Sequence, residues 1–120
     1  MEIEAEVKDG PPITGVVRLK GLIETHQARE LRKALDQLDG KSIGRLLFDM
    51  SEVPFISSTG ISLLVSYANS KRGEWGSNPV VLAGLQKAVE NAMQMLGVSR
   101  LFLLMPDMAS ALDKFRLLQD

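Results

Sequence analysis

The sequence predicts an α/β fold: a mixed, mostly parallel sheet of five strands with about four helices packed on it. Three observations lead there. Short apolar or alternating runs take turns along the chain with segments of helical period. One of those runs, Arg45 to Asp49, carries Leu46-Leu47-Phe48 without a polar interruption, as expected of a central strand covered on both faces. Helical segments separate most of the strand-like runs, and strands joined through a helix pair in parallel. With 120 residues the chain is long enough for one core and is expected to form a single domain, 1–120.

Taken in order, Ile3, Ala5 and Val7 alternate with Glu4, Glu6 and Lys8, the period of a strand with one wet face. Asp9-Gly10-Pro11-Pro12 ends it, and Val16 to Leu19 reads as a second strand paired back on the first, closed by Gly21. Ala28, Leu31, Leu35 and Leu38 share one face of a helix that begins at Glu24 or Thr25 and stops before Gly40. After the third strand a helix starts at Ser57, with Ile61, Leu64, Val65 and Ala68 inward. Lys71 to Pro79, polar and broken by glycines, is expected to be a loop, and Val80 to Ala83 a fourth strand. Leu85, Val89, Ala92, Met93 and Leu96 keep helical spacing up to Gly97, a candidate left-handed cap. Leu101 to Leu104 is the fifth strand, and Asp107 caps a last helix whose Ala111, Leu112, Phe115 and Leu118 lie on one face. Trp75 is expected to pack on the core edge, and Met93, Met95, Met105 and Met108 to fill core and helix gaps. No internal repeat is present.

Composition narrows the function. Apolar residues are 45% and charged residues 24%, with a formal net charge of −1, so nothing favours a nucleic-acid or anionic-membrane partner. There is no cysteine, hence no thiolate nucleophile and no cysteine zinc site; the single histidine, His26, excludes multi-histidine metal sites. No metal and no cofactor is expected. The start lacks the pattern of a signal peptide and no apolar run is long enough for a membrane span, which together predict a cytoplasmic protein without direct membrane insertion.

The chemistry concentrates in Asp49-Met50-Ser51-Glu52-Val53-Pro54-Phe55-Ile56-Ser57-Ser58-Thr59-Gly60. A strand ends in an acid and a short turn, and three hydroxyls and a glycine open a helix. Hydroxyl oxygens accept hydrogen bonds from the partnerless N–H groups of a first helical turn, and Ser57 is the predicted cap. Ser58 and Thr59 then stand near the positive end of the helix dipole, where a phosphate or carboxylate is favoured. Asp49 is expected to hydrogen-bond the loop backbone, and His26 to lie on the surface.

This block, with Ala83-Gly84-Leu85, Ala88-Val89, Met93, Met95-Leu96-Gly97-Val98 and Leu101, and more weakly Gly21-Leu22-Ile23-Glu24, resembles the anti-sigma-factor antagonists, whose fold is called STAS. The resemblance runs through essentially the whole chain and implies a non-catalytic switch. Unphosphorylated, such a protein binds an anti-sigma factor that is also a serine kinase of the ATP-binding histidine-kinase-like class, and so frees the sigma factor. The kinase phosphorylates one hydroxyl at this helix start, and a metal-dependent serine phosphatase reverses it. Carried onto this chain, the acceptor is Ser58, two positions before Gly60. Ser57 stands where the family commonly has aspartate, so Ser57 and Thr59 are alternative acceptors, and Glu24 replaces another aspartate. The implied partner surface comprises Glu24, Ser57, Ser58, Thr59, Gly60 and Ser62.

Other readings come from other classes. An accessory subunit of a membrane transporter, or a scaffold in a stress-signalling complex, would use the same fold. Ser57-x-Thr59-Gly60-x-Ser62 resembles the flavodoxin phosphate loop that holds a flavin, although those loops follow the first strand. A serine hydrolase using Ser58, His26 and an acid would need a glycine where Ile56 stands.

Overall fold

The structure, a computed structural model, describes residues 2–76 and 80–117. Strands β1 (Glu2–Lys8) and β2 (Thr14–Lys20) form an antiparallel hairpin. From β2 onward each strand lies parallel to the next, through β3 (Arg45–Glu52), β4 (Val80–Ala83) and β5 (Leu103–Met105), so the sheet order β1-β2-β3-β4-β5 is the chain order. Helices α1 (Thr25–Asp39), α2 (Ser58–Trp75) and α3 (Lys87–Met95) make the three parallel crossovers, and α4 (Met108–Lys114) follows β5.

Chain order and sheet order coincide, so every crossover advances in the same direction. Right-handed connections then bring α1, α2 and α3 to one face of the sheet. On that face Val17, Leu19, Leu46, Phe48, Met50, Val80 and Leu82 pack with Leu31 and Leu35 of α1, Ile61 and Leu64 of α2, and Val89 and Met93 of α3. The alternate strand residues, Val16, Leu47, Val81 and Ala83, face the other way onto Ala111 and Leu112 of α4, with Phe115 half-buried beside them. Leu46-Leu47-Phe48 is apolar throughout because its residues supply both faces. Each such buried side chain contributes about 1.5–3 kcal/mol of transfer free energy.

Several boundaries differ from the sequence reading. Lys71 to Trp75 belong to α2, not to a loop. The half-buried Trp75 ring meets Tyr67 edge-on, with centroids 6.0 Å apart, and Lys71 Nζ lies 5.5 and 5.2 Å from the two ring centroids. Lys71 also pairs with Asp39 at 3.3 Å, and Tyr67 donates to the same carboxylate at 2.7 Å. These ties to α1 outweigh the cost of about 1 kcal/mol for Gly73 in an exposed helical turn. The helix stops at Gly76, φ +88; Ser77 to Pro79 of the expected loop, and Leu118, lie outside the described residues.

The third helix does not start at Leu85, because Gly84 takes φ +73 and Lys87 opens α3. At its other end Gly97 is left-handed, φ +69, with Gly97 N–H donating to Gln94 O and Val98 N–H to Met93 O, which is a Schellman cap. That turn leaves Leu96 56% and Met95 88% exposed, so neither fills the core as expected, while half-buried Val98 packs on it. A 3-10 turn, Ser99–Leu101, delays the fifth strand to Leu103. Val65, expected inward, is only half-buried. Met93 is fully buried, and Met105 and Met108, the latter opening α4, pack partly buried against the α4 side of the sheet.

Candidate functional site

Because β2 and β3 are parallel, their carboxyl ends emerge on the same edge of the sheet, and backbone pairing continues beyond both strands. Gly21 N–H donates to Glu52 O at 2.9 Å, Ile23 N–H to Phe55 O at 3.0 Å, and Ser57 N–H to Ile23 O at 2.8 Å. Ile23 and Ile56 form a parallel bridge, and both are buried. The loops before α1 and α2 are therefore joined through their backbones and hold the two helix starts side by side, with Thr25 Oγ1 3.5 Å from Thr59 Oγ1.

Ser57 is extended (φ −74, ψ 165) and its Oγ accepts from Gly60 N–H at 3.2 Å, the predicted cap. Ser58 and Thr59 occupy the first turn of α2, both exposed, and the Ser58 hydroxyl has no hydrogen-bond partner among the described residues. Gly60 is buried, and a Cβ there would stand 2.8 Å from Ile56 Cγ1 and 3.0 Å from Ile23 Cγ2. The glycine is thus what lets the helix start sit down on the paired loops. Ser62 is exposed one turn later, and Glu24, also exposed, caps α1 with its N–H donating to Gln27 Oε1 at 3.2 Å.

Around this centre, Asp49 Oδ1 accepts from Ser51 N–H at 3.0 Å and Ser51 Oγ at 2.7 Å, the loop-bonding role expected of it. Gln86 donates to Ser51 O at 2.9 Å and so braces the turn before α3 against the end of β3. His26 lies on the surface, 3.2 Å from Glu30, and no hydrogen bond joins it to Ser58 among the described residues. Among those residues no cluster of three or more His, Cys, Asp or Glu could hold a metal ion, and no helix is long and apolar enough to cross a membrane.

Two features went unseen in the sequence. Leu22 and Phe55, 47% and 48% exposed, stand on the two paired loops beside the hydroxyls. A groove of about 360 Å³ opens between α1 and α2, lined by Thr25, Arg29, Arg32, Thr59, Ser62 and Ser66 among others. The spacing of Thr25, Arg29 and Arg32 on one helix face is legible in the sequence, but not which face of α2 they meet.

Residues 2–111 match the sequence profile of the STAS domain. The chain belongs to the STAS-domain family. Its fold is similar to the anti-sigma factor antagonist SpoIIAA in its unphosphorylated form, with TM-score 0.76 and 17% identity over 94% of this chain and 96% of that one. An anti-sigma factor antagonist from Mycobacterium paratuberculosis superposes with TM-score 0.73 and 24% identity, covering 96% of this chain and 95% of the other. A sulfate transporter family protein from Wolinella succinogenes gives 0.69 and 19%, covering 86% and 84%. The likeness is one of fold. It places the hydroxyl-bearing helix start of this STAS domain on an α/β scaffold of the expected order, a five-stranded mixed sheet with four helices.

Proposed function

We propose that this STAS domain is an anti-sigma-factor antagonist that works as a binding switch controlled by phosphorylation of Ser58. Unmodified, it docks on an anti-sigma factor that is also a serine kinase of the ATP-binding histidine-kinase-like class and so releases the sigma factor; a metal-dependent serine phosphatase resets it. Glu24, Ser57, Thr59, Gly60 and Ser62 complete the surface, Gly60 through the close approach it allows. One observation carries this reading: the two serines at the helix start divide the work. Ser57 is engaged as the cap, whereas Ser58 is exposed and without a protein partner among the described residues, free to accept a phosphoryl group without dismantling the helix. Its neighbours Leu22 and Phe55 supply apolar contact area at the same edge.

The test is capture of the partner from a lysate of the native cells by wild-type, Ser58→Ala and Ser58→Glu protein, with the captured kinase then given ATP. Alanine retains the kinase and glutamate loses it at least tenfold, and the wild-type chain gains phosphate at Ser58. Phosphate at neither Ser58 nor a neighbouring hydroxyl defeats the reading. A second reading, an accessory subunit of a transporter, is favoured by the likeness to the sulfate transporter family protein; co-purification with a membrane transporter in place of a kinase would select it.

A further inference from the structure

We propose that Thr59 is a second phosphoryl acceptor and that the groove between α1 and α2 holds its phosphoryl group, with Arg29 and Arg32 as the binding cations. The proposal rests on the reading of this helix start as a kinase target, and it assigns the two adjacent hydroxyls opposite fates. Consecutive residues of a helix are turned about 100° from one another. Thr59 lines the groove and Ser58 does not.

The groove carries two cations and four hydroxyls beside the apolar Ala28 and Leu63. One wall is α1, with Thr25, Arg29 and Arg32 at spacings that put them on one face. The other is α2, with Thr59, Ser62 and Ser66 at i, i+3 and i+7. Arg29 and Arg32 are like charges one turn apart, an arrangement that costs a helix about 0.2–0.5 kcal/mol, and neither makes an ion pair among the described residues. Of the remaining charges in the first turns of α1, neither Glu24 nor the His26–Glu30 pair lines the groove. Asp36 and Asp39 line the next cavity along, which shares Arg32, Leu63 and Ser66, and Asp39 is already held by Lys71 and Tyr67. Two guanidiniums without ion pairs among the described residues, and three further hydroxyls, thus line the same groove as Thr59, with Thr25 Oγ1 3.5 Å from Thr59 Oγ1.

In the transfer, Thr59 Oγ1 bonds to the γ-phosphorus of ATP, the bond from that phosphorus to the β–γ bridging oxygen breaks, ADP leaves with the electron pair, and the hydroxyl proton passes to the kinase. The new dianion accepts N–H bonds from Arg29 and Arg32, and guanidinium–phosphate pairs are frequently two-pronged. A phosphate on Ser58 faces a visiting protein; one on Thr59 turns into the molecule's own groove and ties α1 to α2.

Site-specific incorporation of phosphothreonine at 59, beside phosphoserine at 58, allows phosphorus NMR titration without any kinase. A phosphoryl group ordinarily loses its last proton near pH 6. At Thr59 that value falls by about one unit, the lower end of what a close opposite charge does, and returns to its ordinary range in Arg29→Gln/Arg32→Gln; at Ser58 the arginine changes leave it in place. An unshifted value at Thr59, or a shift that survives both glutamines, overturns the cradle. Phosphopeptide mapping of protein from its native cells finds phosphate on Thr59 in a fraction of molecules, and its complete absence there overturns the acceptor role. Either failure leaves the Ser58 switch standing, because that switch is read by partner capture.

Discussion

Ser57, Ser58 and Gly60 sit within four positions of one another, yet each answers to a different physical demand. Ser57 satisfies a backbone N–H that the helix start leaves open. Replacing it by alanine is expected to cost about 1 kcal/mol, within the usual range of about 0.5–2 for a lost cap. Gly60 answers to sterics, and alanine there drives a methyl group against Ile56 and Ile23 at about 1–3 kcal/mol. Ser58 is bonded to nothing else among the described residues, so Ser58→Ala stays within about 0.5 kcal/mol of wild type. Urea denaturation of the three variants should give that order, with Ser58→Ala the mildest and Gly60→Ala the most severe. The cap at Ser57 was legible in the sequence because capping is local. The packing demand on Gly60 was not, since Ile23 arrives from another loop.

Among the elements, α2 and α4 show where local signals suffice and where they do not. The short helix α4 depends on its cap: Asp107 Oδ1 accepts from Ser110 N–H at 2.7 Å, and that bond holds the carboxyl below its ordinary value of 3.8. A depressed value means that the charged carboxylate is favoured by folding. Its contribution is therefore complete above pH 3.8 and is lost as pH falls through the lower folded-state value. Asp107→Asn keeps a good cap but removes the titration, so its melting temperature should fall less steeply than that of wild type as pH drops below about 4; parallel slopes would refute this. The run from Lys71 to Trp75 shows the opposite case. Gly73, Gly76 and the surrounding charges read as a loop, whereas Asp39 of α1, reached through the fold, holds Lys71 and Tyr67, and the Tyr67 ring meets Trp75 within the helix. Burial, and then the hydrogen bond to Asp39, push the Tyr67 pKa far above its ordinary value, so the phenol stays neutral and keeps donating.

For the molecule as a whole, the question is whether a phosphate at Ser58 reshapes the fold or only its surface. It adds about −1.5 to −2 of charge at the end of a helix where an anion gains about 0.3–1 kcal/mol. The bonds that join the two loops run between backbone groups and do not involve the Ser58 side chain. Amide hydrogen exchange of Ser58-phosphorylated protein should match the unmodified chain outside the first turn of α2. Widespread deprotection of β3 or α1 would show a conformational switch instead. Against a partner surface suited to a neutral hydroxyl, the same charge loses hydration; since about 1.4 kcal/mol is tenfold in affinity, a loss of about 3–4 kcal/mol is enough for release.

The sequence by itself determined the kinds and order of the elements, the caps at Ser57 and Asp107, the left-handed turn at Gly97 and the STAS family, because apolar period and hydrogen bonding at helix ends act between residues a few positions apart. Tertiary structure decided the rest. Parallel pairing joined the β2–α1 and β3–α2 loops, contacts to α1 carried α2 on to Trp75, and one-sided crossovers set Arg29 and Arg32 opposite Thr59. The reason is one of distance along the chain: those partners lie about thirty residues apart, and only the folded sheet brings them within reach.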